Sequence, residues 1–486
     1  MIEIQAKIHD KNTLEFKVGY VARRKLPVSE FDMNTWIFVP YSLDINPKTY
    51  FKNNFYRDVR SYVRLITPSY LLRDLVSPDI LPYRLLYEAC LNVTSQPTQT
   101  NLKKYESEIK MYASILKSAI RNAYVHIKNN AIDADRMFLC NEFLSNLQSI
   151  LEQYRGLRKI VNVSSINNQY LSCFNYADEF ISNVMEQHVY RLLNLLKNNF
   201  PADYDVLKQR MQELLDNELH YKKQMHYNYV KVDSEDNNSR FVYHASMLKK
   251  YIESDLYLAA HKRRNTFFLE QIAFSIAAGI SMIFATVIAF SFQQTYGNFT
   301  LPLFIALVIS YMFKDRIKEL IRYYFANKLG SRFFDNRISI RVNNRKIGWS
   351  KEGFDYISNE KLPRYVREKR GRTSPMETSR RIYEQVILYR KRVHLKRKNV
   401  KETSPHPILG VNDIIRYNLS EFMRKMDNPE MPVYANLGNG NFELVEGEKV
   451  YYLNFIIQCK YQGQSEYKRY RVCLNRKGLK NIEAID

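Results

Sequence analysis

The sequence predicts an α+β membrane protein: a two-helix transmembrane hairpin with a cytosolic helical bundle and small β-rich modules at both ends. Three observations predict it. Two apolar stretches, Ile272–Phe292 and Phe299–Phe313, stand nearly back to back, separated only by Gln293-Gln294-Thr295-Tyr296-Gly297-Asn298. Apolar residues recur at steps of three and four from about Asn101 to Leu219, the helical period. Near both termini the pattern alternates instead, the period of strands.

On this reading the 486 residues divide into six parts. Residues 1–95 form a β-rich N-terminal module with short helices, and 100–225 the cytosolic helical bundle. An amphipathic helix over 239–271 leads into the membrane, and 272–313 is the transmembrane hairpin. Residues 314–405 are a basic juxtamembrane region, and 408–486 a C-terminal α+β module.

The first module opens on a hairpin. Ile2-Glu3-Ile4-Gln5-Ala6-Lys7-Ile8 alternates, His9-Asp10-Lys11-Asn12 turns, and Leu14-Glu15-Phe16-Lys17-Val18 alternates again. Trp36-Ile37-Phe38-Val39 is a third strand. In the bundle, Tyr105, Ile109, Tyr112, Leu116, Ala119 and Ala123 share one helical face. Met137, Cys140, Leu144, Leu147 and Leu151 mark a second helix. Ala177, Ile181, Val184, His188, Leu192 and Leu195 mark a third, and Tyr204, Leu207, Met211 and Leu214 a fourth. His188 reads as a satisfied core histidine rather than a ligand.

The next helix, with Leu248, Ile252, Leu256 and Ala259 on one face, is expected to run unbroken into the first span. That span, 21 uncharged residues, exceeds the roughly 20 a bilayer core requires. The second covers about 22 Å at 1.5 Å per residue, so it spans only if the bilayer thins or Lys314 snorkels. Lys262, Arg263 and Arg264 precede the pair, and Lys314, Arg316 and Lys318 follow it. Cytoplasmic flanks keep positive charge, which predicts a multi-pass protein of the bacterial inner membrane with both termini cytoplasmic. Ala273, Ala277, Ser281, Ala285 and Ala289, with Ala306 and Ser310, form small-residue faces for helix packing in the membrane. They serve either one hairpin or a homo-oligomer.

The net charge is +23, and most of it falls between Lys314 and Lys401, where cations outnumber carboxylates more than two to one. Arg337–Val342 reads as a strand, Asn343-Asn344 as a turn, and Thr378–Lys398 as a basic helix. Arg390, Lys391, Arg392, Lys396, Arg397 and Lys398 are the candidate lipid or phosphate contacts. Anionic membrane lipid is the favoured partner of this charge, with a solvated face second and nucleic acid third. In the last module a helix over Val411–Met426 is expected to cover strands at Phe442–Val445, Val450–Lys460 and Tyr467–Leu474.

Five cysteines lack paired metal-ligand spacing, and there is no Gly-Lys-Ser/Thr phosphate loop, His-Glu-x-x-His or Gly-x-Ser-x-Gly. No metal and no cofactor is expected. Arg121-Asn122-Ala123-Tyr124-Val125-His126 resembles the Arg-polar-x3-His motif of HEPN-type ribonucleases, which are all-helical. The resemblance implies that Arg121 would stabilise phosphate charge and His126 would transfer the ribose 2′-hydroxyl proton. Positions five apart on a straight helix point about 140° apart, so convergence needs a helix end, a kink or a partner subunit. Two functions stand. The favoured one is a non-enzymatic integral membrane protein whose cytosolic domains bind a protein partner or signal, scaffolding an assembly or gating the membrane. The alternative is a membrane-tethered HEPN-like ribonuclease.

Overall fold

The computed structural model describes residues 2–21, 27–130, 132–162, 168–232, 234–265, 267–297, 300–324, 334–342, 345–371, 384–402, 404–438 and 440–485. Its strands are β1 (Ile2–Asp10), β2 (Thr13–Val21), β3 (Val28–Pro40), β4 (Val59–Leu65), β5 (Ala259–Arg264), β6 (Asn336–Val342) and β7 (Arg345–Ile357). They continue as β8 (Glu384–Lys396), β9 (Gly410–Asn418), β10 (Glu430–Gly438), β11 (Asn441–Glu448), β12 (Tyr451–Tyr461), β13 (Gln464–Asn475) and β14 (Gly478–Ile485). The helices are α1 (Lys52–Asp58), α2 (Leu81–Ser95), α3 (Gln99–Asn129), α4 (Asp133–Gly156), α5 (Arg158–Val161), α6 (Asn168–Asn199) and α7 (Pro201–Gln224). After them come α8 (Glu235–Glu253), α9 (Phe267–Tyr296), α10 (Leu301–Tyr324), α11 (Arg364–Gly371), α12 (Arg397–Lys401) and α13 (Ser420–Arg424).

The chain forms two compact units. One comprises Met1–Arg64, Leu258–Thr403 and Gly410–Asp486; the other comprises Leu65–Tyr257 and Ser404–Leu409. The first is built on two main sheets, an eight-stranded one in the order β14-β13-β12-β3-β8-β7-β6-β5 and a four-stranded one in the order β1-β2-β9-β4. The predicted N-terminal hairpin forms, with Ile4 opposite Val18 and Ile8 opposite Leu14. Between the sheets lies an aromatic core in which Phe16 meets Tyr417, Phe455 and Tyr470 with ring centroids 5.4–5.8 Å apart. β3 is central because both its faces are apolar from Trp36 to Val39. Trp36 and Phe38 pack with Leu362 and Val366 of the α11 region, and with Val386, Leu388 and Ile456.

A polar network also lies inside this core. Lys391 on β8 is fully buried, with Glu352 at 3.3 Å and Asp413 in ion-pair contact. Its ammonium donates to Ser61 Oγ at 2.7 Å, while the Tyr389 hydroxyl donates to Glu352 at 3.0 Å. Burial alone would lower the lysine pKa, but the Asp413 and Glu352 carboxylates outweigh it and hold the pKa above the ordinary value.

The second unit is helical, with α3 and α6 flanked by α2, α7 and α8. The predicted apolar faces are its core: Tyr105, Ile109, Tyr112, Leu144, Ile181 and Met211 are among its buried residues. Arg155 ties α4 to α6 and α7, reaching Asp178 at 3.2 Å and forking onto Glu218 at 2.6 and 3.1 Å. His188 is buried with a ring nitrogen 2.7 Å from the Val184 carbonyl, and burial lowers its pKa.

The architecture corrects the expected fold class. Among the described residues one helix is long and apolar enough to cross a membrane, over Gln271–Tyr296 of α9. Its neighbour α10 is not, because its apolar run ends at Phe313 and Lys314, Asp315, Arg316, Lys318, Glu319 and Arg322 follow. The rest is α+β with open sheets and buried ion pairs. The two-pass hairpin is therefore overturned, and with it the multi-pass inner-membrane placement and the gating or scaffolding integral membrane protein.

The expected end modules are not separate either, since β3 pairs with both β8 and β12. The unbroken helix into the first span is absent: α8 ends at Glu253 and the chain is strand at Ala259–Arg264. The basic helix is β8 over Glu384–Lys396, and Val411–Asn418 belongs to β9. The Asn343-Asn344 turn and Thr378 lie outside the described residues.

Candidate functional site

The edge of the eight-stranded sheet carries the site. β5 and β6 are antiparallel neighbours, and α9 and α10 lie between them in sequence. Asn265 binds the two ends of that excursion together. Its backbone N–H donates to the Asp335 carbonyl at 2.8 Å, and its side-chain amide donates to the Phe334 carbonyl at 3.1 Å. Asp335 is itself held by Lys52 at 2.6 Å and by the Tyr56 hydroxyl at 2.8 Å.

At this root is a cavity of about 490 Å³ lined by His261, Arg263, Arg264, Asn265, Arg337, Ser339, Arg341 and Lys346. Five of the eight are Arg or Lys, and no carboxylate is among them. The strand period places them together. Directly opposite residues share a face, and the register sets His261 against Ser339, Arg263 against Arg337, and Arg341 against Lys346. On the same face Arg337 is also opposite Lys351, and Ser339 is opposite Trp349. Trp349 stacks on His394 at 4.9 Å and 12°. The Arg337 guanidinium and Lys351 ammonium lie 5.4 and 5.1 Å from its ring centre, within cation–π range. Among the described residues the buried atoms Ser339 Oγ and Arg341 Nε have no hydrogen-bond partner.

The residues singled out from the sequence lie beside this cavity rather than in it. Arg390 and Arg392 lie on the same sheet face, each 5.6 Å from the Phe334 ring, and Arg392 forks onto Asp32 at 2.6 and 3.2 Å. Lys391 points inward to the core. Lys396 ends β8, and Arg397 and Lys398 begin α12. Of the small residues, Ala273, Ala277, Ser281, Ala306 and Ser310 are buried, and Ala285 and Ala289 are half-buried. α9 packs on α10, where the Ser310 hydroxyl donates to the Ala285 carbonyl at 3.4 Å. The cavity cations were missed as a set. Their signal is legible in Arg337-Ile338-Ser339-Ile340-Arg341, which puts the polar residues on one strand face.

Arg121 and His126 do not converge. The Arg121 guanidinium is held on its own helix by Ser118 Oγ at 3.3 Å and Asn122 Oδ1 at 3.2 Å. His126 instead lines a separate cavity of about 350 Å³ with Tyr70, Arg73, Asn122, Glu142 and Asn146. No group of three or more His, Cys, Asp or Glu is placed to hold a metal ion among the described residues. The ribonuclease alternative is overturned by this arrangement. No protein-family model matches the chain, and no curated protein or solved structure matches it at a significant level.

Proposed function

We propose that this chain binds phosphate-bearing anions in the cavity between β5, β6 and β7. The observation that carries the reading is the register of like charges. Arg263 opposite Arg337, Arg337 opposite Lys351 and Arg341 opposite Lys346 each set cation against cation. Such pairs weaken a sheet, on the scale of roughly 0.2–1 kcal/mol that governs cross-strand pairs. A multivalent anion reverses that sign, because each guanidinium then has an acceptor to fork onto. Phosphate oxygens also supply acceptors for Ser339 Oγ and Arg341 Nε, donors that are costly while buried and unmet.

Titration with pyrophosphate, followed by calorimetry and by Trp349 fluorescence, tests the reading. Saturable binding that weakens with salt and is lost in Arg337→Ala/Arg341→Ala is expected. A wild-type chain that gives neither heat nor a fluorescence change overturns it.

A further inference from the structure

We infer that the phosphate seated in the cavity is the headgroup of an anionic phospholipid, taken from a lipid surface into which the tip of the α9–α10 pair dips. The inference rests on the phosphate-binding reading and deepens it. Its first support is position: α9 starts two residues after Asn265, so cavity and helix pair share one root. The second is the exposed apolar surface of the pair. Ile283, Val287 and Phe290 on α9 are 63%, 57% and 71% exposed, and Phe304, Tyr311 and Met312 on α10 are 65%, 62% and 66% exposed. A contiguous apolar surface of this kind marks an interaction site.

Charge complementarity identifies the occupant. Along α10 the apolar turns from Leu301 to Phe313 give way to four cations, Lys314, Arg316, Lys318 and Arg322, against the two carboxylates Asp315 and Glu319, with Arg316 3.3 Å from Glu319. Lys314 lies 4.6 Å from the Tyr311 ring, and Arg322 lies 5.1 Å from the ring of Phe274 on α9. An apolar tip, a cationic collar and a cationic cavity thus follow one another in the order of acyl chain, interface and phosphate. The apolar length of α10, about 20 Å at 1.5 Å per residue, falls short of a roughly 30 Å hydrocarbon core. This is contact from one side, not a crossing of the bilayer by two spans. A second copy would cover the apolar tip but, carrying the same cations, would leave those at its root unanswered.

The test is flotation of the full chain with vesicles of phosphatidylcholine alone, and with phosphatidylglycerol added, alongside the pyrophosphate titration. Flotation with the anionic vesicles only is expected. Arg337→Ala/Arg341→Ala should lower partitioning by about ten- to thirtyfold, as two cations near a lipid surface imply. Val287→Asn/Phe304→Asn should lower flotation while leaving pyrophosphate binding intact. If pyrophosphate binds and the vesicles do not, the lipid inference fails and the phosphate reading stands. If neither binds, both fail. Equal flotation with neutral vesicles, or tight binding of a single-stranded oligonucleotide without flotation, also overturns the lipid inference. So does a dimer dissociated by Val287→Asn/Phe304→Asn in the absence of flotation.

Discussion

Lys391 holds its ammonium 3.3 Å from the Glu352 carboxylate across β7 and β8, with neither side chain more than 4% exposed. With Asp413 as a second carboxylate, the lysine is the cation that lets both acids stay inside. Lys391→Met should cost about 3–5 kcal/mol, the range for leaving buried charge uncompensated. The pH dependence has a definite sign. The folded pKa is raised above the ordinary 10.5, so the contribution is fully present below the unfolded value and is lost as pH rises through the folded one. Urea unfolding at neutral and alkaline pH reads both effects. An alkaline loss of stability as steep in Lys391→Met as in the wild type would refute the assignment.

Glu15 sets the opposite limb. Its carboxylate takes Lys7 at 2.9 Å and Arg416 at 2.8 Å. Burial pushes its pKa up, but these partners outweigh burial and hold it below 4.5. The stability it supplies is present above the unfolded pKa and is lost as pH falls through the folded one. Glu15→Gln should therefore flatten the acid side of the stability profile and leave the alkaline side unchanged. Thermal unfolding followed across that range by circular dichroism checks it.

Gly348 marks where β7 comes too close to β8 for a side chain. A Cβ there would lie 2.3 Å from the His394 carbonyl oxygen and 3.0 Å from Leu395. Gly348→Ala should destabilise by about 1–3 kcal/mol, the usual cost of overpacking. The substitution should also alter Trp349 emission, because the Trp349–His394 stack sits on the same pair of strands. An unchanged melting temperature would mean that the strands part at no cost.

The like-charge register predicts a trade between stability and binding. Arg337→Ala/Arg341→Ala should raise the stability of the ligand-free chain by several tenths to about 1 kcal/mol, since it removes cross-strand repulsion. Pyrophosphate should raise the melting temperature of the wild type and not that of the variant, because a ligand stabilises only the state that binds it. Differential scanning calorimetry with and without pyrophosphate decides this. A variant less stable than the wild type in ligand-free buffer contradicts the repulsion.

The same ion pair explains what was hard to read in the sequence. The β1–β2 hairpin and the apolar faces of α3, α4, α6 and α7 were legible because each obeys a single period. β8 was not. Tyr389, Val393 and Leu395 point inward with Lys391 among them, so a buried lysine breaks the apolar alternation and the run resembles a basic helix. β9 was disguised in the same way by Asp413, buried between Val411 and Ile415. The cavity was hidden for a different reason: its cations come from strands flanking an apolar excursion, where they pass for membrane flanks. Only the pairing of β5 with β6 brings Arg263 beside Arg337. The length of α9 overstated the case for α10, whose final turns are charged.

The place of β3 between β8 and β12 has a consequence for synthesis. Its neighbours begin at Glu384 and Tyr451, so the nascent strand leaves the ribosome long before either exists. At roughly 5–20 residues per second, it waits on the order of tens of seconds for β8. The helices of Leu65–Tyr257 are continuous in sequence and can collapse in that interval. The segment from Phe31 to Val39, including Trp36, stays unsheltered until then. Newly made molecules should therefore be more prone to aggregate than mature ones.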